Sequence, residues 1–116
     1  MDRSSPIGAV ASANTLGPDG ACSGGSDNGS PGVNLTVSQG GSWAYGALGW
    51  KADNDTFTTG PGYNLRAFVR AGTGGKAADV AIEDKPVTAT STVTVNGYLS
   101  GTSDWAVVAI EIKPRP

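Results

Sequence analysis

The side chains of this sequence that can do chemistry are carboxylates and aromatic rings, because histidine is absent and cysteine occurs once. Without histidine, Ser-His-Asp and Cys-His machinery is excluded, and so is the commonest zinc ligand. The lone cysteine, Cys22, lies in a Gly/Ser-rich stretch with no base beside it. We interpret it as a loop thiol, with an intermolecular disulfide as the alternative, since it has no internal partner.

The carboxylates show no spacing that pairs them, although a glycoside hydrolase would need two of them facing each other across a cleft. Asp53-Asn54-Asp55 resembles the start of a calcium loop, but the glycine and distal glutamate of an EF-hand are missing, so a solvated turn is the better interpretation. No glycine cluster is followed by Gly-Lys-Ser/Thr, the phosphate-loop signature. We therefore expect no enzyme, no cofactor and no metal site. The remaining acidic candidates are Asp79, Glu83, Asp84 and Asp104.

Aromatic rings are the second group that can hold a ligand, because a flat ring offers a large apolar face. Trp50 and Tyr63 flank a polar, turn-rich stretch, so they are the best candidates for exposed rings that stack on a sugar. Tryptophans within strands more often belong to a core. We therefore predict that Trp43 and Trp105, together with Val107, form core or assembly contacts.

Composition favours a single all-β domain spanning residues 1–116. The chain holds 18 glycines and seven prolines between short apolar runs, and this marks many turns. A net charge of −2 predicts neither a nucleic-acid nor an anionic-membrane partner, and no apolar run reaches membrane-spanning length. The first six residues lack the apolar region of a signal peptide. Export is then signalled elsewhere, or the chain is a processed piece, or it is made inside a cell as a virion part would be.

The elements that must position these residues are about seven short strands with period-2 alternation. Ser42–Trp50 and Trp105–Ile112 are apolar on both faces, which is typical of strands that need cover on both sides. Residues 13–32 read as a long Gly/Ser/Pro loop. We expect an antiparallel β-sandwich in which Thr88–Leu99 pairs with Trp105–Ile112.

The ending Asp-Trp-Ala-Val-Val-Ala-Ile-Glu-Ile-Lys-Pro, residues 104–114, resembles the close of a jelly-roll-like β-sandwich module. That module recurs in secreted multi-domain bacterial proteins and in some phage structural proteins. The segments Gly41–Ala44 and Asp2–Ala9 also resemble it, and the match corresponds to the C-terminal half of the module. The resemblance implies an all-β fold and no particular activity.

A half-module leaves apolar sheet faces exposed, which proteins normally cover. We therefore expect another chain, a second copy or an assembly neighbour, to complete the fold at Trp105 and Val107. The leading interpretation is a non-catalytic structural module of a virion, an extracellular filament or a secreted surface protein. The alternative is a carbohydrate-binding module that uses Trp50 and Tyr63.

Overall fold

Alternating side chains build two antiparallel sheets that face each other across an apolar core. A computed structural model describes residues 4–15, 17–18, 27–51 and 55–115. Apart from one short 3-10 turn, the regular elements of this part of the chain are strands. The strands are β1 (Ile7–Asn14), β2 (Gly17–Pro18), β3 (Gly32–Thr36), β4 (Ser42–Trp50), β5 (Phe57–Thr59), β6 (Asn64–Ala71), β7 (Ala78–Val87), β8 (Thr92–Leu99) and β9 (Trp105–Ile112).

The two sheets differ in size. The larger has the order β2-β1-β9-β4-β7-β6 and the smaller has the order β3-β8-β5, with antiparallel pairing throughout. Only the β1–β2 and β6–β7 connections stay within one sheet, so the chain winds between the sheets in a jelly-roll-like manner. The prediction of an all-β antiparallel sandwich is confirmed.

Strand β9 lies at the centre of the large sheet, between β1 and β4. Its register places Trp105 opposite Trp50 and Ile112 opposite Trp43. Trp105, Val107 and their alternate neighbours point into the sandwich and are buried, whereas Ala106 and Val108 point outwards and are exposed. The strand is therefore covered on one face only.

The core lies between the sheets, where β3 packs across β1 and β9 and β8 packs across β4. The sheets approach closely at Gly46, since a Cβ on this residue would lie 2.3 Å from Val95 Cγ1. A larger residue fits at that point only if the Val95 side chain shifts. The buried apolar residues of this core are Leu35, Val37, Ala44, Leu48, Trp50, Tyr63, Ala81, Val87, Val95, Trp105, Val107 and Ala109.

Three details of the predicted strand arrangement are wrong. Strand β8 pairs with β3 and β5 in the small sheet and not with β9, because the chain crosses between sheets after β7 and again after β8. Residues 13 and 14 belong to β1 and not to the predicted loop. The sequence Asp84-Lys85-Pro86 predicts a strand break, but β7 continues through Pro86. The reason is that β6 stops pairing at Asp84 and leaves β7 with an open edge, where a missing N–H is tolerated.

Candidate functional site

The face of the large sheet that points away from the core is apolar and exposed. It is formed by alternate residues of β1, β9, β4, β7 and β6, so five strands contribute to it. Val10 is 63% exposed and Val108 is 50% exposed. We call it the outer face, and it comprises Ile7, Val10, Ser12, Asn14, Trp43, Tyr45, Ala47, Gly49, Ala67, Val69, Val80, Ile82, Asp84, Ala106, Val108, Ile110 and Ile112.

Strand register arranges the outer face in rows that run across the sheet. One row passes from Ser12 through Val108, Ala47 and Ile82 to Ala67. The next row joins Asn14, Ala106, Gly49, Val80 and Val69 in the same way. Neither row contains a charged residue, and several members are glycine or alanine, so the surface is flat. A flat apolar surface suits close packing by another sheet.

A groove lies at one end of the outer face, where β4 begins and β9 ends. Trp43 and Tyr45 project there from β4, and Ile112 lies beside Trp43. Trp43 is 39% exposed. The groove encloses about 610 Å³, and its other lining residues are Gly41, Arg66, Asp84, Lys113, Pro114 and Arg115.

Charge in the groove is predominantly positive. Arg66 donates from Nε to Asp84 Oδ1 at 2.9 Å, so the single carboxylate is already paired. Lys113 Nζ donates to Ser5 Oγ at 3.3 Å. Among the described residues, three cationic side chains and one acidic side chain line the groove. Ligand pockets are typically apolar or aromatic with a few convergent polar groups.

The expectation that Trp50 and Tyr63 are exposed rings is wrong. Trp50 is 3% exposed and stacks on Phe57, with 5.3 Å between ring centroids. Tyr63 is 7% exposed, and its hydroxyl donates to the Thr94 carbonyl at 2.7 Å. Burial, reinforced by the negative charge of Glu83, raises the pKa of Tyr63 above its ordinary value. The polar stretch between the two residues does not expose them, because both side chains point into the sandwich.

The other two tryptophans predicted to form core or assembly contacts, Trp43 and Trp105, lie on opposite faces of the large sheet. Trp105 and Val107 are buried in the core of this chain, and Trp105 Nε1 donates to Asn28 Oδ1 at 3.0 Å. They are therefore covered by the small sheet and need no second chain. Trp43 instead lies on the outer face. The alternation along β4 predicts that Trp43 and Tyr45 lie on one face of the strand and that Leu48 and Trp50 lie on the other. Because both faces are apolar, the alternation does not predict which face points into the core.

Glu111 is a buried structural carboxylate, held by hydrogen bonds from strands and loops far apart in sequence. Its Oε2 accepts from Ala9 N at 2.9 Å, from Ser38 N at 3.0 Å and from Ser38 Oγ at 2.9 Å. Its Oε1 accepts from Gln39 N at 3.1 Å and Ser42 Oγ at 2.8 Å. Burial alone would raise the pKa, but these donors outweigh it and lower the pKa to about 2. This anion joins β9 to β1 and to the β3–β4 connection.

Two further buried carboxylates, Asp79 and Glu83, lie on β7 and differ in their partners. Asp79 forms a bidentate ion pair with Arg70, whose Nη2 donates to Oδ2 at 2.6 Å and whose Nε donates to Oδ1 at 2.8 Å. Neither oxygen of Glu83 has a hydrogen-bond partner in the described structure. Burial raises its pKa to about 7, against the opposing effect of nearby backbone N–H groups and of Lys85. Neither residue lines the groove, so they form no carboxylate pair there.

Several predicted candidates lie outside the described residues, namely Cys22, Asp53 and Asn54. Among the residues described, no three side chains of the metal-binding types cluster together. None of the described segments forms a helix long and apolar enough to span a membrane.

Comparison with protein-family models, with curated proteins and with solved structures finds no significant match to this chain. The function must therefore be argued from the outer face and the groove.

Proposed function

We propose that this protein is a non-catalytic assembly module whose outer face packs against a second copy of the same chain. The observation that carries the proposal is the exposed apolar outer face on a sheet whose other face is already covered. Monomeric proteins rarely leave so large an apolar surface in water. The resemblance of residues 104–114 to the ending of secreted and phage structural modules suggests a role in a virion, an extracellular filament or a secreted surface protein.

The size of the outer face fits such an interface. Five strands about 4.8 Å apart, each about eight residues long at about 3.3 Å per residue, give an area of roughly 600 Å². A stable dimer interface uses about 800 Å² per partner. The whole outer face thus provides about three quarters of that area, which places such an interface at the small end of the range for stable dimers.

A second copy suits the outer face because a two-fold axis brings the same patch against itself. The two rows through Val108 and Val80 carry no charge, so self-packing places no like charges opposite each other. Their small residues let two sheets approach to the spacing of about 10 Å that sheet packing requires.

The native mass of the protein tests this proposal. Light scattering at micromolar concentration is expected to give twice the chain mass for the native protein and one chain mass for Val108→Lys. Thr58→Lys is the matched control, since Thr58 is exposed on β5 of the small sheet. A native protein that stays monomeric at high micromolar concentration contradicts the proposal, and so does a dimer that tolerates Val108→Lys.

A second candidate function, carbohydrate binding, is favoured by the groove. Its support is the pair of aromatic side chains, Trp43 and Tyr45, on one wall of a cavity of suitable size. Affinity electrophoresis in gels containing neutral or acidic polysaccharides is expected to show retardation that Trp43→Ala abolishes. Tyr98→Ala is the control, because Tyr98 is an equally exposed ring on the small sheet. Equal retardation of both variants contradicts binding in the groove.

A further inference from the structure

We infer that the groove selects saccharides that carry carboxylate groups, such as uronic acids, over neutral saccharides. The inference rests on the proposed carbohydrate-binding function and names the ligand class for that site. It starts from a local imbalance of charge. The whole chain carries a net charge of −2, yet the described residues that line the groove include three cations, Arg66, Lys113 and Arg115, and one acidic residue, Asp84. A site with this excess attracts anions on a protein that otherwise repels them.

Arg66 is the residue that gives the groove its specificity. Its only hydrogen bond within the described residues runs from Nε to Asp84, so both terminal amino groups keep their donors. Asp84 is largely buried and holds the guanidinium in place, while the Arg66 side chain is 50% exposed. An oriented guanidinium with free donors binds a carboxylate through two parallel hydrogen bonds.

The position of Arg66 brings this charge to the aromatic wall. Arg66 occupies the extra position in the β6–β7 pairing, since the register shifts between Leu65 and Ala67. Such a bulge redirects a side chain relative to its neighbours in the strand. Arg66 consequently meets Asp84 on the outer side of β7, where Asp84 lies opposite Tyr45 in the strand register and both Arg66 and Trp43 line the groove.

A sugar acid matches both the aromatic and the cationic residues that line the groove. Its ring offers apolar C–H surface to Trp43 and Tyr45, and its carboxylate offers two acceptors to Arg66. A neutral sugar would satisfy the rings and leave the arginine donors to water. A small inorganic anion would satisfy the cations and leave the aromatic wall empty. The rows through Val108 and Val80 lie outside the groove, so a second copy that packs on these rows leaves the groove open to a saccharide.

The test compares trigalacturonate with its methyl ester, which has the same sugar rings but carries uncharged methyl esters in place of the carboxylates. By titration calorimetry the acid is expected to bind at least about tenfold more tightly than the ester. Arg66→Met should reduce acid binding about tenfold and leave ester binding unchanged, whereas Arg66→Lys should restore part of the difference. Lys76→Met is the matched control, because Lys76 is an exposed cation at the opposite end of the sheet.

Each result separates this inference from the proposals on which it depends. Equal affinity for acid and ester overturns the selectivity and leaves carbohydrate binding in place. If neither ligand binds, both the selectivity for acidic saccharides and the proposed carbohydrate binding are overturned. Equal weakening by Arg66→Met and Lys76→Met shows general charge attraction and overturns the role of the groove. Retained binding in Val108→Lys supports a site separate from the dimer interface, and loss of binding there contradicts it.

Discussion

At the scale of single residues, Glu111 and Glu83 set how stability depends on pH. Both are fully buried glutamates on the inner face of the large sheet. The Glu111 carboxylate accepts five hydrogen bonds. In the described structure, neither carboxyl oxygen of Glu83 has a hydrogen-bond partner. Hydrogen-bond donors favour the charged form and burial disfavours it, so the two pKa values move in opposite directions.

The pKa of Glu111 predicts a loss of stability in acid. Because folding lowers this pKa from 4.5 to about 2, the stabilisation is complete above about pH 4.5 and disappears as the pH falls towards 2. The shift corresponds to about 3 kcal/mol of unfolding free energy. Urea denaturation of Glu111→Gln should show that loss already at pH 7 and a flatter profile between pH 4.5 and 2. A variant that matches the native protein at pH 7 contradicts the role of the anion.

The raised pKa of Glu83 predicts the opposite pH dependence. Folding raises it from 4.5 to about 7, so the neutral form is the stable one and stability falls as the pH rises from about 4.5 to 7. Glu83→Gln mimics the neutral form and should raise the unfolding free energy at pH 8 by up to about 3 kcal/mol.

The check on Glu83 is a comparison of urea midpoints at two pH values. At pH 4 the native protein and Glu83→Gln should have nearly the same midpoint, because both carry a neutral side chain. At pH 8 the variant should have the higher midpoint. A difference of the same size at both pH values would assign the effect to packing and not to ionisation.

At the scale of strands, the two sheets approach each other closely at Gly46 on β4, opposite Val95 on β8. Gly46→Ala should destabilise the protein by about 2 kcal/mol, since its Cβ would overlap Val95 Cγ1 at 2.3 Å. Val95→Ala removes the clashing methyl group. The double variant should therefore be more stable than the sum of the two single effects predicts, as measured by urea denaturation. Additive effects would contradict the close approach of β4 and β8.

The strands also show how far the sequence predicts this fold. Ser42–Trp50 and Trp105–Ile112 were recognised with the bounds that the structure gives, because alternation and flanking turns are local signals. The strand partners of β8 could not be predicted in this way, since they depend on which connections cross between the sheets. The faces of β4 and β9 were separated correctly, but both faces are apolar, so the inside could not be chosen. That ambiguity is why Trp50 was expected at the surface and the groove at Trp43 was missed.

At the scale of the whole molecule, the described residues form a sandwich of six strands over three, and none of these strands forms a second layer on the outer face of the large sheet. A monomer of this shape is stabilised by a single apolar core between the two sheets. A dimer through the outer face adds a second apolar layer, and unfolding then includes dissociation. The apparent stability of such a dimer depends on protein concentration, whereas the stability of a monomer does not.

The melting temperature should therefore rise with concentration in the native protein. Between 2 and 200 µM, a hundredfold change contributes about 2.7 kcal/mol of apparent stability to a two-state dimer, which corresponds to a shift of several degrees. Val108→Lys should melt at the same temperature throughout this range, because it places a charge in a row that has none. Thr58→Lys should retain the concentration dependence of the native protein. A native melting temperature that is constant over the range would mean that the outer face meets water, and the assembly proposal would then fail.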